Sequence, residues 1–122
     1  MTASLAAAVL GGTLAPGSER DYDVAVRDGD RIIRYQVKAR RLNADNQSRQ
    51  LGALRGMDRK GFDFLVGILF AEDFTPIRGA VIPWEVVKAR STYRPHTNAW
   101  VFHLRDDMWG ALGVTDLALP RP

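Results

Sequence analysis

The sequence predicts an α/β (α+β) fold: a mixed central sheet of about five strands flanked by helices. Three observations predict it. Apolar and polar residues alternate from Tyr22 to Val26 and again along the 31–40 segment, on either side of an Asp28-Gly29 turn signal. FDFLVGILF (62–70) is apolar at nearly every position, the pattern of a strand covered on both faces. Helix-forming stretches precede the hairpin and follow the later strands, without the βαβ repetition of a doubly wound sheet.

Each element follows in order. ASLAAAVL (3–10) holds mostly good helix formers, and Gly11-Gly12 ends it. Ala15-Pro16-Gly17-Ser18 reads as a turn. In the hairpin, Ile33, Tyr35, Val37 and Ala39 share one face, while Arg34, Gln36, Lys38 and Arg40 share the other. Residues 41–60 are polar, with a short helix expected around Leu51, Leu54 and Arg55. After the 62–70 strand, Glu72-Asp73 turns the chain into an antiparallel partner over Ile77 to Ile82. Pro83 opens a short helix over Trp84 to Ala89, placed where its missing N–H costs least. A loop (Arg94 to Asn98), a short strand (Trp100 to Leu104) and a helical turn at Asp106-Asp107 follow. Val114 to Pro122 reads as an irregular tail.

The 122 residues fit one domain spanning 1–122. With 46% hydrophobic and 25% charged residues, the composition is that of a folded domain rather than a disordered one. There is no cysteine, which excludes disulfides and thiolate metal sites and fits a reducing, cytoplasmic compartment. No apolar run is long enough to span a bilayer. Met1 to Leu14 lacks the basic start of a secretory signal and reads as mature sequence. There is no glycine-rich phosphate loop. His96 and His103 have no further ligand at zinc spacing. No Ser-His-Asp or Cys-His arrangement can be argued. The three tryptophans lack basic interleaving and read as core and rim.

The net charge of +3 permits a nucleic-acid partner without demanding one. Its distribution says more, because Arg34, Lys38, Arg40, Arg41, Arg49, Arg55, Arg59 and Lys60 fall in one stretch. Arg40, Arg41, Arg49 and Arg55 are candidate phosphate contacts; the plainer reading of the same residues is a solvated basic face.

The chemistry-bearing constellation lies on the hairpin. Gln36 and Lys38 stand ~7 Å apart on one strand face. Asp23 meets them across the hairpin. A carboxylate, an amide oxygen and an ammonium on one polar surface suit metal-assisted phosphodiester hydrolysis. Asp23, the Gln36 side-chain oxygen and the Val37 carbonyl would hold Mg²⁺ or Mn²⁺. Lys38 would assist the attacking water or offset charge on the phosphate.

Asp23 with Gln36-Val37-Lys38 resembles the motif of the PD-(D/E)XK nuclease superfamily, in a variant with Gln at the second acidic position. YDVAV, DG, YQVKARR, SRQLGALRGMD, FDFLVGILF, VIPWEVV and PHTNAWVFHLRDDMWG together are similar to an uncharacterised bacterial family placed in that superfamily. The resemblance implies a restriction-endonuclease-like core, Mg²⁺-dependent cleavage of DNA and, as in many members, a homodimer. Two features depart from the pattern. Residues 1–18 contain no Asp or Glu, so the acid usually supplied by the first helix is missing, with Glu19 and Asp21 the nearest substitutes. Gln36 also removes one negative charge from the ligand set, which weakens metal binding.

Three functions compete at this level. The first is a metal-dependent nuclease using Asp23, Gln36 and Lys38. The second is a catalytically weak or inactive module of the same fold that binds nucleic acid. The third is a module that binds a protein partner.

Overall fold

The computed structural model describes residues 2–17 and 21–120. Its centre is a six-stranded mixed sheet in the order β1-β2-β3-β4-β5-β8. These strands are β1 (Thr13–Leu14), β2 (Val24–Asp28), β3 (Arg31–Arg41), β4 (Phe64–Phe70), β5 (Pro76–Pro83) and β8 (Thr115–Asp116). Only β3 and β4 are parallel; every other neighbouring pair is antiparallel. Two helices flank the sheet, α1 (Thr2–Leu10) and α2 (Trp84–Arg90). A separate ribbon pairs β6 (Thr92–Arg94) with β7 (Ala99–Val101), and a 3-10 turn covers Asp106–Gly110. No described helix is long and apolar enough to cross a membrane.

The strand alternation sorts the core into two layers. Tyr35 and Val37 of β3, and Val66, Ile68 and Phe70 of β4, face Ala6 and Ala7 of α1. Leu65 and Leu69 of β4 face the other way, with Ala80 and Ile82 of β5 and Val87 of α2. The Phe64–Phe70 strand is therefore without a polar side chain because β4 is covered on both faces.

The hairpin forms as expected, shifted by one residue at its tip. Asp28 pairs with Arg31, so Gly29-Asp30 is the two-residue loop. Gly29 supplies the left-handed backbone there, at φ 63°. Pro83 precedes α2, as its place in the sequence predicts.

The structure corrects two readings. Residues 51–55 are not helical. Their backbone groups bond to distant partners instead: Leu51 N–H donates to Phe102 O at 2.9 Å, and Leu104 N–H donates to Arg49 O at 2.9 Å. The parallel β3–β4 step needs a long crossover, and here it is an irregular segment over 42–63 rather than a helix. It is nonetheless core, burying Leu51, Leu54, Met57 and Phe62. The segment after Val114 is not wholly irregular either. Thr115–Asp116 pairs with β5, and Leu117 is buried against the α1 layer. Arg121 and Pro122 lie outside the described residues, as do Met1, Ser18 and Glu19.

Gly67 is where the crossover segment and the last third of the chain meet the sheet. A Cβ there would lie 2.9 Å from Leu104 Cδ2 and 3.3 Å from Leu51 Cδ1. Both leucines are buried, so neither methyl has open space to retreat into. Gly67→Ala is expected to lower stability by about 1–3 kcal/mol through overpacking, read as a lower urea midpoint. An unchanged midpoint would show that this contact is slack.

Candidate functional site

Asp23, Gln36, Val37 and Lys38 come together at the point where β2 stops covering β3. Asp23 lies one residue before β2, and its N–H donates to Tyr35 O at 2.8 Å. That ladder bond brings its carboxylate beside the next residues of β3. Val37 N–H donates to Asp23 Oδ2 at 2.8 Å. Arg55 of the crossover segment donates from Nη2 to Asp23 Oδ1 at 3.2 Å. Both carboxylate oxygens are thus engaged.

Gln36 is fully buried, and its amide is spent on backbone groups. Its Nε2 donates to Asp21 O and to Arg55 O, each at 2.8 Å, while its Oε1 accepts from Arg55 N–H at 3.1 Å. Three segments, 21–23, 36–38 and 55–61, are tied together through this one side chain.

Asp21 occupies a notch built from two glycines. A Cβ on Gly61 would lie 2.4 Å from Asp21 Oδ2, and one on Gly56 would lie 2.9 Å from its Cγ. Arg59 grips the carboxylate from outside, with Nε to Oδ2 at 2.7 Å and Nη2 to Oδ1 at 2.5 Å. The Arg59 hydrogen bonds hold the Asp21 carboxyl below its usual range, against the opposing effect of burial. Asp21, one of the two nearest substitutes for the missing helix acid, is therefore locked in a bidentate pair; Glu19, the other, lies outside the described residues.

Lys38 is partly buried, and no carboxylate lies within ion-pair distance of it among the described residues. Burial lowers the pKa of its ammonium, and the nearby Arg55 charge adds to this; Asp23 opposes both. Arg55 pairs with Asp23 and Arg59 with Asp21, which leaves Lys38 as the cation of this group without an ion-pair partner among the described residues. The donors proposed for a divalent ion, Asp23 and the Gln36 oxygen, already accept hydrogen bonds. A cation seated on Asp23 would have to displace the Arg55 guanidinium. Among the described residues, no three His, Cys, Asp or Glu side chains gather where they could hold a metal ion.

The four candidate phosphate-binding arginines are dispersed. Arg55 sits on Asp23, and Arg49 pairs with Asp106 at 2.5 Å. Arg40 reaches only the Gln50 carbonyl, at 3.4 Å, on the same strand face as Lys38. Arg41 points to the α1 side, with its Cζ over the Phe74 ring, 4.8 Å from the centroid. Sequence reading set Asp23, Gln36 and Lys38 on one polar surface; the structure brings them close but buries Gln36 fully, with its amide spent on backbone. Sequence reading also missed the Asp21–Arg59 latch. Its signal was the pair of glycines, Gly56 and Gly61, bracketing Arg59.

Gln36→Leu should strand Asp21 O and both backbone groups of Arg55. A loss of about 3 kcal/mol or more is expected by urea unfolding. Gln36→Glu should also destabilise, since a carboxylate donates nothing to the two carbonyls. Stability at wild-type level in both variants would remove Gln36 from its tying role. Lys38→Met should raise stability at neutral pH by removing a partly buried charge. The folded-state pKa of Lys38 lies below 10.5, so between those two values the unfolded chain holds the extra proton. Wild-type stability then gains with rising pH, and the advantage of Lys38→Met should shrink as pH approaches 10.5. Thermal melts across that range give the comparison.

No protein-family model matches this chain and no curated protein matches it, so the site rests on its own geometry.

Proposed function

We propose that this chain is a nuclease-like module of the PD-(D/E)XK kind that binds nucleic acid with weak or no cleavage. One observation carries the reading: Arg55 lies on Asp23 where a metal ion would be needed, and the Gln36 amide is consumed by backbone. The result is a pair of neutralised acids beside the Lys38 ammonium, which has no ion-pair partner among the described residues. Such a surface favours a phosphate over a divalent cation. Lys38 and Arg40 share a strand face, and Arg55 adjoins Lys38 through Asp23. A backbone phosphate placed there would meet donors from two chain segments.

A second reading is favoured by the contact between Asp23 and the backbone of Val37, next to Lys38. In it, the chain cleaves DNA with Mg²⁺ or Mn²⁺. Asp23, Gln36 and the Val37 carbonyl would hold the ion, whose chemistry is to polarise a phosphate and acidify water. Arg55 would first have to leave Asp23, and Gln36 would have to give up Arg55 N–H.

The two readings separate in one experiment. Fluorescence anisotropy with short duplex and single-stranded DNA at several salt concentrations should show binding that weakens as salt rises. Lys38→Ala and Arg40→Ala should each flatten the logarithmic salt slope by about one unit. Plasmid incubated with Mg²⁺ or Mn²⁺ should remain intact. Binding without a salt slope, or none, overturns the first reading. Cleavage by wild type that is lost in Asp23→Ala and Lys38→Ala replaces it with the second.

A further inference from the structure

On the face opposite the hairpin site, α1, the end of β3 and the β4–β5 turn line an open pocket of about 470 Å³. That volume lies in the range of small-molecule pockets. Leu5, Ala39, Phe70 and Pro76 give it an apolar lining, and Arg41 is the only charged residue lining it among the described residues.

Two details show that its rim is built rather than incidental. Phe74 has φ 66°, a left-handed backbone that a bulky aromatic rarely adopts. The turn is held in that shape by Phe74 N–H to Ala71 O and Ala71 N–H to Thr75 O, each at 2.9 Å, and by Thr75 N–H to Asp73 Oδ1 at 3.0 Å. Core packing does not account for this strain, because Phe74 is 55% exposed. What the conformation achieves is to set the ring at the pocket, 6.3 Å from the Phe70 ring and beneath the Arg41 guanidinium. A guanidinium over a ring face is held by its charge and leaves N–H donors available to a carboxylate. Arg41 has no ion-pair partner among the described residues, and its one hydrogen bond is to Glu72 O at the 3.5 Å limit.

The geometry points to a binding site for a small amphiphilic carboxylate, with its apolar body in the pocket and its headgroup on Arg41. Charge complementarity selects this occupant. A fully apolar ligand would leave the cation unused, and a strongly polar one would strand the apolar walls. The site is separate from the nucleic-acid reading and does not depend on it.

The test uses the isotopically labelled full chain, titrated with decanoate and, separately, with decanol, following amide NMR shifts. Saturable shifts are expected at Leu5, Ala39, Phe70 and Phe74, with decanoate bound about ten-fold tighter than decanol. Arg41→Gln should bring decanoate down to the affinity of decanol. Phe74→Gly relieves the left-handed strain and so should fold, and it should weaken both ligands. Four results would each overturn the proposal: no saturation below the aggregation concentration of decanoate; equal affinity for the two ligands; shifts centred elsewhere; or Arg41→Gln and Phe74→Gly behaving as wild type. Anionic vesicles perturbing Phe74 when monomeric decanoate does not would assign the face to a lipid surface and overturn it as well.

Discussion

The Gln36 amide is the constraint on which the candidate site depends. It is a buried group with two donor hydrogens and an acceptor, and the groups around it need just that: Asp21 O and Arg55 O accept, while Arg55 N–H donates. A carboxylate at this position offers acceptors only. Gln36, with its two donors, is therefore the residue that lets the irregular crossover segment close over β3. This explains how a long segment without helix or strand can be part of the core: its backbone partners are supplied by a side chain and by distant strands.

Closing that segment also sets the electrostatics. It carries Arg55 onto Asp23 and Arg59 onto Asp21, so these two acids face guanidinium groups rather than open solvent. The Asp21 pair is fixed on both sides, by glycines whose missing side chains make room and by the fork of Arg59. Lys38 is left as the cation without a carboxylate of its own, desolvated by the same segment that occupies the acids. Exposed ion pairs of this kind add little to stability. Their larger effect here is on which ligands the surface accepts.

Much of the sheet was legible because its signals are local. The alternation of β3, the doubly apolar β4 and Pro83 before α2 each reflect residues whose burial is decided within their own element. The crossover segment was not, because LGALR has helical propensity while its hydrogen bonds go to Phe102 and Gln36, far along the chain. Long-range pairing outweighed local preference there. β8 escaped notice for a similar reason: Thr115 and Asp116 carry no alternation, and β5 alone makes them a strand. At the site, the register of the hairpin predicted that Asp23 would reach β3, but nothing local announced that Arg55 would arrive from the other side. Of the four arginines read as phosphate contacts, Arg49 and Arg55 face carboxylates, a pairing that spacing along the chain does not reveal.

The order of the sheet has a consequence for how this molecule can meet others. Both outermost strands, β1 and β8, are two residues long. The parts of β2 and β5 they leave uncovered carry Arg27 and Asp28 on one side and Pro76 and Arg78 on the other. Short edges bearing charge and proline are poor templates for strand addition. At those two edges a partner is steered away from extending the ladder and toward reading side chains. The longer unpaired edge is the stretch of β3 beyond Tyr35, where β2 has ended and the Asp23 carboxylate takes the Val37 N–H in place of a neighbouring strand. Backbone pairing by a partner would be concentrated beside the candidate site.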